Sequence, residues 1–380
     1  MSIALTCAGI VAVVAGWIVT MIRFDAGLLT SAAWSVPCFA LALVPMRTGL
    51  RAAWFNAGVV ILVGGAFQPV LERTDAGPRC HEQVDGEAIW RTDPHVGYLP
   101  PRDASYRVTR ICDDETIYRA QYTTDAAGNR LAGTNTGNVN APCILVVGGS
   151  FAYGEGVDDE ETLAHSLWSA DRGRHEVRNL GVPGFGANHV LAAVEGGLVE
   201  AAAACDVRHV IYLAISDHIG RVSGSPAGSG DPDGPRYTLT DDGGVRRDGT
   251  LEQVEWSADS LLRAAARTGA GRRAYAKLGQ GFTDEELELF ARVVHAIDAG
   301  LTERYPEVEL DVLWWDHGAA GATPLPDLGS IPVHRVTEIL PPREDWDGEY
   351  ELAGDGHPTA LASRILADHI VATILDGPDR

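Results

Sequence analysis

Residues 143–154 read CILVVGGSFAYG, and this stretch decides the fold. Cys143–Gly148 is an uninterrupted apolar run, which predicts a strand buried on both faces. Gly149 and Ser150 follow where the chain must turn from strand into helix. A serine in such a turn exposes its hydroxyl beside free backbone N–H groups, which suits a nucleophile. The alternatives are a glycine turn that serves packing alone and a phosphate loop, although no Walker lysine follows.

Strand and helix patterns alternate downstream of this turn. Strands are predicted at 176–180, 207–215, 309–315 and 331–336, and helices at 160–170, 187–204, 284–304 and 359–375. Five strands joined by helices indicate an α/β domain, whose parallel sheet is covered on both faces. Such sheets bind ligands at the carboxyl ends of their strands. The Gly-, Pro- and Asp-rich segment within 222–282 predicts a surface insertion.

Three apolar runs occupy residues 1–72, namely Ile3–Ile22, Ala26–Met46 and Ala52–Leu71. Each is about 20 residues long, the length that a helix needs to cross a bilayer. About three transmembrane helices are therefore predicted, with a cleaved signal peptide as the alternative for the first run. Arg47 and Arg51 lie between the second and third runs, which favours a multi-pass cell-membrane protein whose later residues are extracytoplasmic.

Residues 73–140 predict a small β-rich linker region. Tyr106–Ile111 and Ile117–Tyr122 alternate between apolar and polar residues and are separated by turn residues, as in β-hairpins. The linker is thus expected to pack as hairpins against the main domain at 141–377.

The six cysteines fall into three pairs. Cys80 and Cys112 lie in the β-rich region, and they could form a disulfide outside the cytoplasm or remain two free thiols. Cys143 and Cys205 lie in or beside core strands and are predicted to be small buried hydrophobes. The remaining two lie in the apolar runs.

The formal net charge is -22, which argues against a basic surface for nucleic acid or anionic headgroups. The simplest interpretation is a solubilising surface. No clustered His/Cys spacing suggests a metal, and no cofactor is expected.

Three further polar segments follow predicted strands or precede the last helix. They are Asn179–Gly186, Ile215–Arg221 and Gly354–Pro358. In the last of them, Asp355 could orient His357 as a general base. Asp316-His317 has a similar composition, but it follows the fourth strand instead of preceding the last helix.

In this order, the four segments resemble the blocks of the SGNH/GDSL hydrolase family. Gly148-Gly149-Ser150 resembles the Gly-Asp-Ser block with Gly149 in place of Asp, Gly184 matches the glycine that supplies an oxyanion N–H, and Asp355 with His357 matches the closing block. Asp93–Tyr98 and Gly148–Val157 are similar to a membrane-linked bacterial branch. The resemblance implies a three-layer α/β/α, flavodoxin-like domain with a five-stranded parallel sheet.

Two departures from the family pattern bear on the site. Ser216 stands where the third block carries an oxyanion-binding Asn, and its shorter side chain has only one donor. Gly149, Asp217, His218 and Arg221 are therefore candidate site-lining residues. The closing block of the family is usually Asp-x-x-His, whereas the spacing here is Asp-x-His. This shorter spacing is similar to that of extracytoplasmic O-acetyltransferases.

The resemblance implies a serine esterase. In it, Ser150 attacks the ester, His357 removes and returns the proton, and Asp355 orients the His357 imidazole. The N–H groups of Ser150 and Gly184, with Ser216, would form the oxyanion hole. The expected substrate is an acylated small molecule, glycan or lipid that carries a short acyl group. An O-acyltransferase with the same triad and a non-catalytic binding or scaffolding protein are the alternatives, and no protein partner is indicated.

Overall fold

The structure is a computed structural model that describes residues 80–132, 141–203, 205–224, 233–251, 282–316, 325–342 and 346–377, with a few positions before residue 62. Beyond those few positions, the described residues belong to one compact unit, Pro78–Val254 together with Gly281–Arg380. Within this described part, no helix is long and apolar enough to cross a bilayer. The predicted membrane spans at 1–72 fall almost wholly outside the described residues and stay a prediction.

Five short strands precede the main sheet. They are β1 (Cys80–Asp85), β2 (Arg91–Asp93), β3 (Gly97–Leu99), β4 (Ser105–Cys112) and β5 (Glu115–Thr123). β1, β4 and β5 form an antiparallel sheet in the order β1-β4-β5, while β2 pairs with β3. The predicted hairpin pieces lie inside β4 and β5, so that prediction is confirmed.

This small sheet packs directly onto the segment that carries Ser150. Tyr106 on β4 and Tyr118 and Tyr122 on β5 are buried in one apolar cluster with Tyr153. The Tyr106 and Tyr153 hydroxyls are 3.0 Å apart. The region packs against the main domain as expected, and its inward faces form part of the support of the candidate site.

A five-stranded parallel sheet forms the centre of the unit. Its strands are β6 (Cys143–Gly148), β7 (Glu176–Gly181), β8 (Val207–Ile215), β11 (Glu309–Trp315) and β12 (Val333–Arg335). The strand order β12-β11-β8-β6-β7 corresponds to 2-1-3-4-5 when these five strands are numbered along the chain. This is a doubly wound order, whose switch point lies between β6 and β8, and ligands bind at such points.

Helices cover both faces of the sheet. They are α1 (Ser150–Tyr153), α2 (Leu163–Ala170), α3 (Ala187–Glu195), α4 (Leu198–Ala203), α5 (Asp217–Ser223), α6 (Asp284–Arg304), α7 (Val336–Ile339) and α8 (Ala360–Ile370). Cys143, Leu145 and Val147 face the core under α3 and α6, whereas Ile144 and Val146 face the core under α2 and α8. This alternation explains why β6 is apolar at every position. The predicted α/β class with a five-stranded parallel sheet is confirmed.

Two predicted elements are shorter than expected. The helix predicted at 187–204 is divided into α3 and α4, because Gly196 and Gly197 lie between them and Gly197 has a left-handed φ of 69°. The strand predicted at 331–336 reduces to β12, since Thr337 in the next turn donates its N–H to Asp316 (3.0 Å) and α7 begins there.

Part of the predicted surface insertion is packed into the domain. β9 (Pro235–Leu239) and β10 (Val245–Thr250) form a hairpin, and Tyr237 on β9 is only 2% exposed. The Asn188 side chain of α3 donates to the Pro235 carbonyl at 2.9 Å. The predicted surface insertion therefore has an inner side, at Pro235 and Tyr237, that packs into the domain, which the prediction missed, while β10 has no buried residue and 252–281 lie outside the described part.

Two disulfides are present among the described residues. One joins Cys80 on β1 to Cys112 on β4, which lie opposite each other in the register of the two strands. The other joins Cys143 to Cys205. Cys143 is buried as predicted, but the interpretation of these two residues as simple small hydrophobes is wrong, because they are bonded to each other. Cys143 pairs with Val207 in the sheet, and Cys205 lies just before Val207 in the chain.

Candidate active site

The turn that carries Ser150, here called the nucleophile turn, depends on the glycines at the end of β6. Gly148 has φ +143°, and a Cβ there would lie 2.5 Å from the Leu213 carbonyl of β8, so no larger residue fits. Ser150 then opens α1 at the carboxyl edge of the sheet and is 8% exposed. The serine therefore lies at the switch point of the doubly wound sheet.

The loop before α8 brings His357 and Asp355 to this serine. His357 Nε2 lies 2.8 Å from Ser150 Oγ, and its Nδ1 is hydrogen-bonded to Asp355 Oδ1. The Leu352 N–H donates to the His357 carbonyl at 2.7 Å and holds the loop in place. Ser150, His357 and Asp355, the three residues predicted to form a triad, are thus within hydrogen-bonding distance of one another in that order.

An arginine from the small sheet reaches the far side of Asp355. Arg110 Nε on β4 lies 3.2 Å from Asp355 Oδ2, and the Asp355 side chain is 1% exposed. Arg110 also lies 3.4 Å from Glu82 on β1. Both oxygens of the carboxylate are therefore occupied, one by His357 and the other by Arg110, an arrangement that fixes its orientation.

Glu155 is a second carboxyl beside the imidazole. Its Oε2 lies 3.9 Å from His357 Nε2, the nitrogen that contacts Ser150, and its Oε1 accepts from the Tyr118 hydroxyl at 3.3 Å. Burial raises the pKa of Glu155, although the charges of His357 and Arg110 oppose this. Neither Arg110 nor Glu155 was predicted from the sequence, although Glu155 lies in the segment that resembles the family.

The surroundings lower the pKa of Asp355 and raise the pKa of His357. Burial alone would raise the pKa of Asp355, but its hydrogen bond to His357, the charge of His357 and Arg110 together lower it. Burial lowers the pKa of His357, but the bond to Asp355 and the charges of Glu155 and Asp355 outweigh this and raise it from its usual value. At neutral pH the carboxylate is ionised and can stabilise an imidazolium.

The second block lies beside the nucleophile turn. The N–H of Val182 donates to the Gly148 carbonyl at 3.1 Å, and Gly184 adopts φ +85°. Tyr98 of β3 donates its hydroxyl to the Pro183 carbonyl at 2.6 Å and covers Gly184, so no side chain fits there. The predicted oxyanion residue is thus in a glycine-only turn that is hydrogen-bonded to the residue two before Ser150.

The third block leads from β8 into α5. Ser216 precedes α5 and makes no side-chain hydrogen bond among the described residues. Burial raises the pKa of Asp217, which Arg221 opposes. His218 and Arg221 are buried, and both lie against Gly149. Of the predicted lining residues, the structure therefore brings together Gly149, His218 and Arg221.

The competing Asp-His pair has a different environment. Asp316 accepts from the Thr337 N–H and hydroxyl and lies 3.4 Å from Arg335, so it holds the start of α7. His317 lies outside the described residues. Among the side chains that are described, no three His, Cys, Asp or Glu residues cluster as metal ligands.

An apolar cavity of 440 Å³ lies behind the second block. Val182 and Phe185 line it together with Leu180, Val190 and Leu198 from β7, α3 and α4. Ser150 and His357 are not among its lining residues. The cavity is therefore a neighbour of the candidate site and does not contain it.

Comparison with known proteins does not assign the chain to a family. No protein-family model matches the chain, and no curated protein is similar to it. The fold is a doubly wound α/β unit, and its switch point holds a serine, a histidine and an aspartate in a hydrogen-bonded row.

Proposed function

We propose that the protein is an SGNH/GDSL-type serine esterase that cleaves carboxylic esters through an acyl-Ser150 intermediate. The observation that carries this proposal is the 2.8 Å contact between Ser150 Oγ and His357 Nε2, with Asp355 on the other ring nitrogen. A serine hydroxyl is a weak nucleophile, and an oriented general base activates it. The flavodoxin-like strand order also fits the three-layer fold that the family resemblance implies.

In the acylation step, His357 Nε2 accepts the Ser150 proton as Oγ attacks the ester carbonyl. The carbonyl oxygen becomes an oxyanion, which the N–H groups of Ser150 and Gly184 bind. Asp355, held by Arg110, stabilises the imidazolium that forms. Collapse of the tetrahedral intermediate breaks the ester C–O bond, and His357 gives the proton to the leaving alcohol.

Deacylation repeats these steps with water as the nucleophile. His357 Nε2 takes a proton from the water as its oxygen attacks the acyl carbonyl. The bond to Ser150 Oγ then breaks, and the proton returns to the serine. The carboxylic acid is released and the enzyme is regenerated without a cofactor.

A second candidate is O-acyl transfer, in which a sugar hydroxyl replaces water. Ser150 is only 8% exposed, and Glu155 lies 3.9 Å from the nitrogen that would deprotonate the acceptor. Limited water access and a carboxyl that can bind a hydroxyl both suit an alcohol acceptor. The Asp-x-His spacing favours the same candidate by resemblance. A non-catalytic role is less consistent with a triad whose hydrogen bonds are all in place.

We infer further that this unit functions outside the cytoplasm, anchored by the N-terminal apolar runs. Both disulfides suit an oxidising compartment. An acetyl or other short acyl group on an envelope glycan or lipid is the proposed substrate, and this step rests on the family resemblance.

Hydrolysis of a small aryl acetate by the purified full chain tests the proposal. We expect turnover in the wild type and none above background in the Ser150→Ala variant. Adding a soluble glycan separates the two enzymatic candidates, because a transferase yields acetylated glycan where an esterase yields acetate. Equal rates in the wild type and Ser150→Ala would show that Ser150 is not the nucleophile.

A further inference from the structure

Gly149 stands where the family has an aspartate, and its neighbours leave no room for a larger residue. Its backbone has φ -89°, which most residues can adopt. A Cβ at this position, however, would lie 2.8 Å from the Phe185 carbonyl, 3.0 Å from His218 Nε2 and 3.1 Å from Arg221 NH1. The volume beside the nucleophile that an aspartate would need is therefore occupied by two side chains of α5.

Arg221 connects all three blocks that surround this volume. It belongs to α5, which follows the third block, and it is 6% exposed. Its NH1 donates to the Phe185 carbonyl at 2.8 Å, one residue after Gly184. A Cβ added at Gly186 would lie 2.9 Å from the Arg221 Cβ, so the aliphatic stem of Arg221 lies on the second-block loop. The guanidinium ends beside Gly149, the residue before Ser150.

His218 packs on the other side of the same volume. It is 1% exposed, and its Nδ1 lies 2.8 Å from the Tyr212 hydroxyl. Its other ring nitrogen, Nε2, is buried and has no hydrogen-bond partner in the described part of the chain. A buried polar nitrogen without a partner is costly and points to a functional reason.

The two proposed oxyanion donors lie on separate loops. The Ser150 N–H belongs to the nucleophile turn, whereas the Gly184 N–H belongs to the second block. They can bind one oxygen only if the distance between the loops is fixed, because such donors act through preorganised geometry. The side-chain amide that the family places at position 216 is missing, since Ser216 stands there.

We propose that Arg221, supported by His218, is the positioning residue of the oxyanion hole, in place of the groups that Gly149 and Ser216 have replaced. This inference rests on the proposed esterase function. Arg221 holds the Phe185 carbonyl and thereby sets the position of the Gly184 N–H relative to the Ser150 N–H. Its guanidinium also places a fixed positive charge beside the turn on which the oxyanion forms.

Two substitutions of Arg221 test the proposal in the full-length protein. Arg221→Met keeps the stem and removes the charge and donors, whereas Arg221→Lys keeps the charge and one donor group. Arg292→Met on α6 is the matched control, since Arg292 is exposed and forms a surface ion pair with Glu288. Hydrolysis of an aryl acetate gives kcat and KM, and an alkylboronic acid that adds to Ser150 Oγ mimics the tetrahedral anion.

We expect Arg221→Met to lower kcat by about 10²–10³-fold, which is typical for the loss of one oxyanion contact. KM should stay within about threefold, and boronic-acid affinity should fall by about the same factor as kcat, because the contact matters only in the transition state. Arg221→Lys should recover about tenfold of the lost rate and remain below the wild type, because it restores the charge and only part of the donor set. The pH at which activity falls should not move, since Asp355, Glu155 and Arg110 are the charges that act on His357.

Wild-type kcat and boronic-acid affinity in a folded Arg221→Met variant would overturn the proposal. If that variant does not fold, wild-type values in Arg221→Lys would overturn it equally, because a lysine cannot hold both the Phe185 carbonyl and the Gly149 contact. A rate loss without loss of boronic-acid affinity would assign Arg221 a different role. An inactive wild type that binds no boronic acid would instead refute the esterase function, and this inference would fall with it.

Discussion

At the scale of single residues, the site is a row of four side chains from Arg110 to Ser150. Arg110 contacts one oxygen of Asp355, Asp355 holds one nitrogen of His357, and His357 contacts Ser150 with the other. Each member orients the next. Removing different members should therefore have unequal effects on the same reaction.

The triad assignment is tested by comparing His357→Ala with Asp355→Asn. We expect His357→Ala to lower kcat by about 10⁵–10⁶-fold, because the base is deleted. Asp355→Asn should lose less, about 10⁴-fold, because the imidazole remains but is misoriented. Steady-state hydrolysis of an aryl acetate measures both. His81→Ala, at an exposed position on β1, is the control and should match the wild type. A larger loss in Asp355→Asn than in His357→Ala would contradict the assigned roles.

The charges around His357 predict opposite pH shifts for two variants. The base must be neutral to act, so kcat/KM falls as pH drops through the His357 pKa. Arg110 lowers this pKa and Glu155 raises it. Arg110→Met should therefore move the acid limb of the kcat/KM profile to higher pH, and Glu155→Gln should move it to lower pH. Shifts in the same direction, or none in either variant, would show that these charges do not act on the base.

Motif order predicted that Ser150, His357 and Asp355 would come together, because each occupies a recognisable place relative to the strands and the last helix, and the structure brings them into contact. Arg110 could not be found in this way. It is one of several polar residues on β4, and its contact with Asp355 depends on how the small sheet packs on a loop more than 200 residues later. Glu155 lies inside Gly148–Val157, which resembles the family, but no spacing rule indicates that its side chain turns back to His357.

At the scale of secondary-structure elements, Arg130 fastens the small sheet to the nucleophile segment. Its guanidinium donates to the carbonyls of Tyr153, Gly154, Val157 and Gln121 and pairs with Asp159. It also lies 4.2 Å from the Tyr122 ring centre, in a cation–π contact. Since its side chain is fully buried, these contacts hold α1 and the loop after it against β5.

Arg130→Met should destabilise the protein by about 3–5 kcal/mol, because it leaves several buried acceptors without donors. Chemical denaturation followed by circular dichroism measures the free energy of unfolding. Arg119→Met, at an exposed position on β5, should change it by less than about 0.5 kcal/mol. Equal stability of the two variants would mean that the buried network contributes little.

The elements themselves were predictable where the apolar pattern was continuous, as in β6, β8 and β11. The errors arise where tertiary contacts decide. A hairpin from a Gly- and Pro-rich segment becomes part of the core because Tyr237 packs under α3, and nothing local in the sequence signals that. The Cys143–Cys205 bond likewise requires knowing that β6 and β8 are neighbours.

At the scale of the whole molecule, the disulfides and the arginine bias of the N-terminal loops point to the same compartment. Arg47 and Arg51 favour a cytoplasmic loop between the second and third apolar runs. If the three predicted spans form, this orientation places the chain after Leu71 outside the cytoplasm. The disulfides Cys80–Cys112 and Cys143–Cys205 fit the proposed side, because disulfides are typical of oxidising compartments.

Protease added to intact spheroplasts should therefore digest the chain after Leu71. A cytoplasmic marker protein in the same sample should remain whole, which controls for lysis. Digestion that requires detergent, together with free thiols at the four cysteines, would place the unit in the cytoplasm and remove the argument for an envelope substrate.

The most direct test of the central claim is the reaction of the full-length protein with a fluorophosphonate, followed by peptide mass analysis. Such probes phosphonylate an activated serine with loss of fluoride and need the same base as an ester substrate. We predict a single adduct on Ser150, with labelling lost in Ser150→Ala and strongly slowed in His357→Ala. Labelling of another serine, or undiminished labelling of Ser150 without His357, would contradict the assignment of Ser150 and His357 as nucleophile and base.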